Sequence, residues 1–139
     1  LAYIKRYNPT AAIDLATLTG ACVTALGNDA SGLMGNNNDL IQAIHQAGNR
    51  TGEIAWHLPI LEGHRNQIKG DYADLKNTGG RPGGALTAGA FLEAYVDGYA
   101  WAHLDIAGTA WNNTTRPDTP IGATGVGVRL LIDYLRNLS

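Results

Sequence analysis

Cysteine is almost absent from this sequence: Cys22 is the single one among 139 residues. One cysteine cannot form an intramolecular disulfide, and such low usage is typical of a reducing compartment, so we predict a cytoplasmic protein. Cys22 stands between Ala21 and Val23. These apolar neighbours favour a small buried side chain over a reactive thiol.

Long apolar runs and blocks of basic residues are absent as well. No apolar run reaches the ~18 residues that a membrane span requires, so no membrane-spanning helix is predicted. The net charge is −2 and the basic residues are scattered, so neither nucleic acid nor an anionic membrane is expected as a partner. Lys5 and Arg6 before an apolar stretch faintly resemble a signal peptide. Asn8 and Pro9 precede that stretch and Asp14 interrupts it, which excludes this interpretation.

The composition that remains is that of a globular domain, with 45% hydrophobic and 16% charged residues. Short apolar runs suited to buried strands alternate with stretches of helical periodicity. This alternation predicts an α/β fold with a mostly parallel buried sheet flanked by helices. The predicted strands are residues 11–18, 31–35, 54–60 (a strand or an extended edge) and 100–108, and the predicted helices are residues 21–26 (a short helix or a turn), 38–48, 61–70, 86–96 and 128–138.

Three helical segments carry further expectations. The opening LAYIKRYNP reads as the last turns of a helix, with basic residues near its end and Pro9 just beyond, so the chain is expected to begin within a helix of something longer. Apolar stripes on the last two helices are predicted to face the core. The stripes are Ala88, Phe91, Leu92, Tyr95 and Val96 in one helix and Val128, Leu131, Leu135 and Leu138 in the other.

Two of the predicted strands end in turns of small residues. Ligands of open α/β sheets bind beyond the carboxyl ends of strands, and small residues leave backbone N–H and C=O groups open to them. Close packing at the sheet edge is the alternative explanation. The turns contain Thr17, Thr19, Gly20 and Ala21 after the first strand and Ala107, Gly108, Thr109 and Ala110 after the last.

No nucleophile or phosphate loop is evident near these turns. Thr17 and Thr19 have no adjacent base, and ATLTG lacks the G-x-S-x-G spacing of a hydrolase nucleophile. GGRPGG, residues 79–84, has the glycine spacing of a phosphate loop, but Ala85 and Leu86 stand where the lysine and the hydroxyl residue should be. Nucleotide binding is therefore not expected.

His103 and Asp105 form the best candidate pair of polar groups. They stand two residues apart on one face of a predicted strand, where they could share a metal or form a buried structural pair. The sequence has no H-E-x-x-H motif and no Cys/His cluster, so we favour the structural pair.

Four stretches resemble successive C-terminal blocks of the cytosolic leucine aminopeptidase family: NPTAAIDLATLTGACVTALG, DYADLKNTGGRPGGALTAGAFL, WAHLDIAGTAW and GATGVGVRLLIDYL. They occur in the family's order and cover nearly the whole chain. The resemblance implies a metal-dependent exopeptidase that releases N-terminal amino acids, leucine preferred, and assembles as a homohexamer. It identifies residues 1–139 as the C-terminal portion of the catalytic domain.

The resemblance also implies what these residues leave out. The family's acidic block, N-T-D-A-E-G-R, supplies two carboxylate metal ligands and an arginine, and it has no counterpart here. The remaining ligands and a catalytic lysine stand further upstream in the family. The two divalent ions, zinc or manganese, would be held outside this chain, and no catalytic or metal-binding residue is assigned within it.

The resemblance also implies that this chain forms one wall of the substrate-binding site. The Leu18 carbonyl and the Gly20 N–H are expected to hold the substrate backbone, while Thr17, Ala107 and Ala110 line the pocket for the N-terminal side chain. Ala110 stands where some relatives carry a bulkier methionine, which implies a wider pocket.

Other positions leave alternatives open. Asp74, Asn77 and Arg81 match family positions without an assigned role, and Ile121 replaces a lysine that often precedes GATG. The main alternative to an enzyme part is a non-catalytic peptide-binding or assembly module. A small hydrolase that uses a threonine or Cys22 is the third hypothesis.

Overall fold

A four-stranded sheet in the order β1-β4-β2-β3 forms the middle of the structure. The computed structural model describes residues 1–115, 117 and 119–138. β1 runs parallel to β4 and β2 runs parallel to β3, whereas β2 and β4 are antiparallel. The prediction of an α/β fold with a mostly parallel sheet is confirmed. The strands are β1 (Ala11–Ala16), β2 (Ser31–Gly35), β3 (Ala55–His57) and β4 (Ala100–Asp105), with a separate hairpin of β5 (Trp111–Asn112) and β6 (Gly122–Ala123).

Helices cover both faces of this sheet. One face packs on α2 and α5 through a cluster that includes Leu33, Ile44, Leu104 and Leu130. On the other face α1 and α4 pack on each other and on β2. The helices are α1 (Gly20–Leu26), α2 (Asn38–Thr51), α3 (Glu62–Gln67), α4 (Gly84–Glu93) and α5 (Val128–Arg136), and a 3-10 helix spans Ile4–Tyr7.

The end of the opening helical segment agrees with the prediction, whereas the end of α2 does not. The opening segment is helical and ends at Asn8, which has a left-handed φ of 47°. The predicted stop of α2 at Gly48 is wrong, because the helix continues to Thr51 and ends at Gly52. Gly48 serves close packing instead, since a Cβ there would lie 2.7 Å from the Glu53 carbonyl oxygen.

Of the stripe predicted for α5, Leu131 packs against the core, but the other three residues are exposed. Val128 and Leu135 are 58% and 60% exposed, whereas Leu130 and Tyr134 are buried. The helix is apolar on more than one side, so the periodicity alone did not identify the side that packs on α2.

The apolar stripe predicted for α4 is half-buried except for the exposed Tyr95, and its Leu92 and Val96 pack against the cluster around Trp101. The helix begins earlier, at Gly84, and buries small residues against the sheet. Gly89 lies so close to Met34 that an added Cβ would be 2.5 Å from the Met34 sulfur. The buried residues of α4 are Ala85, Thr87, Gly89 and Ala90.

Within the predicted polar loop of residues 112–120, Arg116 and Asp118 lie outside the described residues. No helix in the described part of the chain is long and apolar enough to cross a membrane.

A buried carboxylate fixes the start of α5. The side chain of Glu53 is 5% exposed. It accepts hydrogen bonds from the Gly127 N–H at 3.0 Å, the Leu130 N–H at 2.8 Å and the Arg129 Nε at 3.2 Å. A carboxylate at a helix N-terminus satisfies N–H groups that have no partner within the helix. Glu53 therefore joins the segment after α2 to the last helix.

We expect Glu53→Ala to lower the free energy of unfolding by about 3 kcal/mol, because two buried N–H groups would lose their acceptor. Urea denaturation measures the change. The control is Asp97→Ala, which removes an exposed ion pair with Lys5 and should cost less than about 0.5 kcal/mol. Equal effects of the two substitutions would contradict the role given to Glu53.

Candidate functional site

The two turns predicted to face a ligand lie side by side. β1 and β4 are adjacent and parallel, in a register that runs from Ala11 opposite Ala100 to Ala16 opposite Asp105. Their carboxyl ends therefore meet at one edge of the sheet, where residues 17–19 follow β1 and residues 106–110 follow β4. This is the edge at which open α/β sheets bind ligands.

The carboxylate of Asp105 joins the two turns. Asp105 is fully buried, with 0% exposure. Its Oδ1 accepts from the backbone N–H groups of Leu18 at 3.1 Å, Thr19 at 3.4 Å and Ala107 at 3.2 Å. Its Oδ2 accepts from the Thr19 hydroxyl at 2.7 Å. One side chain thus holds backbone from both turns.

The direction of the Leu18 carbonyl follows from these bonds. The C=O of Leu18 and the N–H of Thr19 belong to one peptide unit, and in a trans unit they point in opposite directions. The peptide bonds that the structure describes are all trans. Because the Thr19 N–H points at the buried Asp105, the Leu18 carbonyl points away from it.

The Leu18 carbonyl and the Gly20 N–H remain available to a ligand. Outside the helices and strands, the backbone hydrogen bonds of the described residues use neither group. Gly20 is exposed and opens α1, and a Cβ built on it meets no atom within 4 Å. Gly108 differs, since an added Cβ there would collide with the carbonyl oxygen of Gly27. Packing therefore does not require a glycine at position 20, but it does at position 108.

The remaining predicted pocket residues lie on the same two turns. Thr17 is exposed, and Ala107 and Ala110 are half-buried. The second turn is closed by bonds from the N–H groups of Thr109 and Ala110 to the Ile106 carbonyl, at 3.1 and 2.9 Å. The structure thus brings Thr17, Leu18, Gly20, Ala107 and Ala110 to one edge of the sheet.

His103 is buried as expected, but Asp105 is not its partner. Its Nδ1 lies 2.6 Å from Asp14 Oδ1 on the neighbouring strand, and the Trp101 Nε1–H donates to Asp14 Oδ2 at 2.6 Å. Strand residues two apart share a face, but a directly opposite residue on the next strand lies closer. His103 Nε2 is buried without a hydrogen-bond partner among the described residues.

The family-matched positions of the glycine-rich loop stay on the surface. Asp74, Asn77 and Arg81 are all exposed. Arg81 lines a cleft of about 500 Å³ between the start of α4 and the α1 residues Ala21, Thr24 and Ala25. This cleft opens beside the turn that contains Gly20. Ile121, in place of the family's lysine, is 62% exposed.

Cys22 lies beneath the turns in an environment that suppresses the thiolate. Its side chain is buried, and its sulfur lies 3.7 Å from the Asp105 carbonyl oxygen. Burial raises the pKa of the thiol, the negative charge of Asp105 raises it further, and a hydrogen bond from the Gly32 backbone opposes the shift. Because the thiolate is the nucleophilic form, this environment does not suit a catalytic cysteine.

Metal ligands do not converge in this part of the molecule. Among residues 1–115, 117 and 119–138 no group of three or more His, Cys, Asp or Glu side chains is placed to hold a metal ion. The described residues therefore do not by themselves fit the pair of ions that the resemblance implies.

Comparison with known proteins identifies the relatives of this chain. Residues 1–132 match the family model "Cytosol aminopeptidase family, catalytic domain". The chain is 54% identical over 138 residues to a probable cytosol aminopeptidase of Geotalea uraniireducens, covering 99% of the chain and 28% of that protein. It is 49% identical to the probable cytosol aminopeptidase of Neisseria meningitidis, covering 99% of the chain and 29% of that protein. Among solved structures, a mutant of tomato leucine aminopeptidase matches with a TM-score of 0.91 and 39% identity, over 99% of the chain and 27% of that structure.

These matches define the class as an α/β peptidase. Within that class the chain belongs to the cytosol aminopeptidase family. It spans 28% of the length of the Geotalea relative.

The Cys22 thiol should react slowly in the folded protein. With a raised pKa, fewer molecules carry the thiolate at any given pH, and burial limits access. At pH 8 we expect labelling by an aromatic disulfide reagent to be at least about a hundredfold slower than in urea-unfolded protein. Because the pKa of Cys22 is raised, the rate in the folded protein should still be increasing with pH at the ordinary thiol value of 9.0, where that of a free thiol is levelling off. Rapid labelling of folded protein at pH 7 would contradict this account and revive Cys22 as a nucleophile.

Proposed function

We propose that this chain is the C-terminal portion of the catalytic domain of a leucine-type aminopeptidase, in which it forms the wall that holds the N-terminal end of a peptide substrate. The observation that carries the proposal is the strand-end edge described above. There the Leu18 carbonyl points away from Asp105, and no backbone group of the described residues uses the Gly20 N–H.

The wall combines backbone and side-chain recognition. The Leu18 carbonyl accepts a hydrogen bond from the substrate and the Gly20 N–H donates one, which fixes the substrate backbone against α1. Thr17, Ala107 and Ala110 line the pocket for the first side chain. Ala107 and Ala110 are small and half-buried, so they leave room for a branched apolar group such as leucine.

The chemical step belongs to the complete polypeptide. Two divalent ions, zinc or manganese, held by residues that precede this segment, would polarise the scissile carbonyl and activate water. The contribution of this chain is to bind and orient the substrate next to them. The complete enzyme is proposed to be a cytoplasmic homohexamer.

The 139-residue chain alone should not hydrolyse leucyl amides, because its described residues do not form a metal site. The complete polypeptide, purified with zinc or manganese, should hydrolyse leucine p-nitroanilide. The assay compares the two preparations at equal concentration. Inactivity of the complete, metal-loaded polypeptide would contradict the proposed function. Full turnover by the pure short chain would contradict the proposal that the metal ligands lie outside it.

Calorimetry distinguishes the non-catalytic alternative. If the chain were a peptide-binding module, the short chain would bind a leucyl peptide with submicromolar affinity in the absence of metal. We expect no measurable binding under these conditions, because two backbone groups and a shallow pocket are too few contacts without the remainder of the site.

Replacement of Gly20 should damage substrate binding without damaging the fold. A Cβ at this position meets no protein atom, so Gly20→Val is compatible with the structure but would obstruct the approach of a substrate backbone. In the complete polypeptide we expect kcat/KM for leucine p-nitroanilide to fall by about a hundredfold or more, with the melting temperature unchanged within about 2 °C.

The matched control is Gly63→Val. Gly63 lies in α3, and a Cβ there also meets no atom within 4 Å. This variant should retain the activity of the wild type. Wild-type kinetics for Gly20→Val would remove Gly20 from the site.

A further inference from the structure

We infer that Asp105 is the positioning residue of the substrate wall: its buried carboxylate sets the direction of the Leu18 carbonyl and fixes the distance between the backbone-binding turn and the side-chain pocket. The inference rests on the proposed function, because it concerns the same wall. Asp105 is fully buried. It acts through the groups that it holds and does not itself face the substrate.

Donors from two separate turns surround the Asp105 carboxylate. Three backbone N–H groups and one hydroxyl bind the carboxylate. Leu18 and Thr19 belong to the turn after β1, and Ala107 belongs to the turn after β4. A displacement of either turn would break bonds to a buried charge, which is costly. The two turns are thereby constrained to move together.

These bonds also determine which backbone groups face away from Asp105. Each backbone N–H that points at Asp105 belongs to a peptide unit whose carbonyl points away from it. For the unit between Leu18 and Thr19, that carbonyl is the one proposed to bind substrate. The carboxylate therefore orients a substrate-binding group that lies beyond its own reach.

The donors that bind the Asp105 carboxylate are all neutral. In the described part of the chain, no lysine, arginine or histidine forms an ion pair with Asp105. An ion pair with one cation would tie the carboxylate to a single side chain. Four fixed donors on two turns instead tie the carboxylate to the geometry of both turns.

Thr19 extends this constraint to α1. Its hydroxyl donates to Asp105 Oδ2 and accepts from the Cys22 N–H at 3.0 Å, which caps the helix. Gly20 is the first residue of that helix. The hydroxyl therefore connects the carboxylate to the helix start that carries the second proposed substrate contact, the Gly20 N–H.

Substitutions at residue 105 separate the carboxylate's geometry from its charge. In Asp105→Asn, the amide oxygen can still accept the three N–H groups, and the amide nitrogen can donate to the Thr19 hydroxyl, whose own hydrogen can rotate away. Asp105→Ala removes every acceptor. In the complete polypeptide we expect Asp105→Ala to raise KM for leucine p-nitroanilide about tenfold or more, and Asp105→Asn to stay within about threefold of the wild type.

The discriminating measurement is substrate selectivity. A loss of register between the backbone turn and the pocket should reduce the preference for leucine over alanine p-nitroanilide at least threefold in kcat/KM. A merely structural role would only lower the fraction of active enzyme, so kcat would fall while KM and the leucine-to-alanine ratio stayed constant. That second pattern in Asp105→Ala would overturn the inference.

Thr19 provides a second variant if Asp105→Ala does not fold. Thr19→Val removes the hydroxyl but keeps Asp105, whereas Thr19→Ser keeps the hydroxyl and serves as the control. Thr19→Val should raise KM and lower the leucine-to-alanine ratio, and Thr19→Ser should not. Unchanged KM and ratio in Thr19→Val would overturn the inference. An inactive wild-type polypeptide would overturn the proposed function as well, whereas an active wild type with unaffected variants would overturn this inference alone.

Discussion

The bonds between Asp105 and the two strand-end turns are the interaction on which the site depends. A buried carboxylate is unfavourable unless hydrogen-bond donors surround it. Here every donor lies on residues 17–19 or 106–110, so the charge is stabilised only when both turns are in place. The parallel register of β1 and β4 makes this possible because it brings both strand ends to one edge. Sheet topology, turn geometry and the proposed substrate wall are thus connected by one side chain.

Two other carboxylates in the fold also accept hydrogen bonds from distant segments. Glu53 accepts two backbone N–H groups and an arginine at the start of α5, and Asp14 accepts from Trp101 and His103 between β1 and β4. Each carboxylate joins segments that are far apart in the chain. The long-range order of this domain relies on such polar contacts as well as on its apolar clusters.

Sequence patterns predicted the elements better than their packing. The apolar runs of residues 11–18 and 100–108 identified the strands β1 and β4, because a strand buried on both faces is a nearly continuous apolar run. The stripe predicted for α5 is largely wrong for a related reason. Val128 and Leu135 continue the helical period, yet Leu130 and Tyr134 meet α2, and a period cannot choose between two apolar sides.

The hydrogen-bond partners of the buried polar side chains could not be predicted from neighbouring residues in the sequence. His103 and Asp105 share a strand face, but His103 bonds to Asp14 and Asp105 bonds to Leu18 and Thr19, each more than eighty positions away in the chain. One signal was available: a polar residue within an otherwise apolar strand requires partners when it is buried, and Asp14 and Asp105 are both of this kind. The predicted residues Thr17, Leu18, Gly20, Ala107 and Ala110 do come to one edge, but their role was implied by family resemblance and not by local pattern.

The most direct test of the account is a crystal structure of the complete polypeptide with a leucine-containing peptide inhibitor. The account predicts that the inhibitor backbone lies within hydrogen-bond distance of the Leu18 carbonyl oxygen and the Gly20 nitrogen. Asp105 should retain its bonds to Leu18, Thr19 and Ala107 in that structure. An inhibitor bound away from both turns, or a wall reorganised with Asp105 released from either turn, would contradict it.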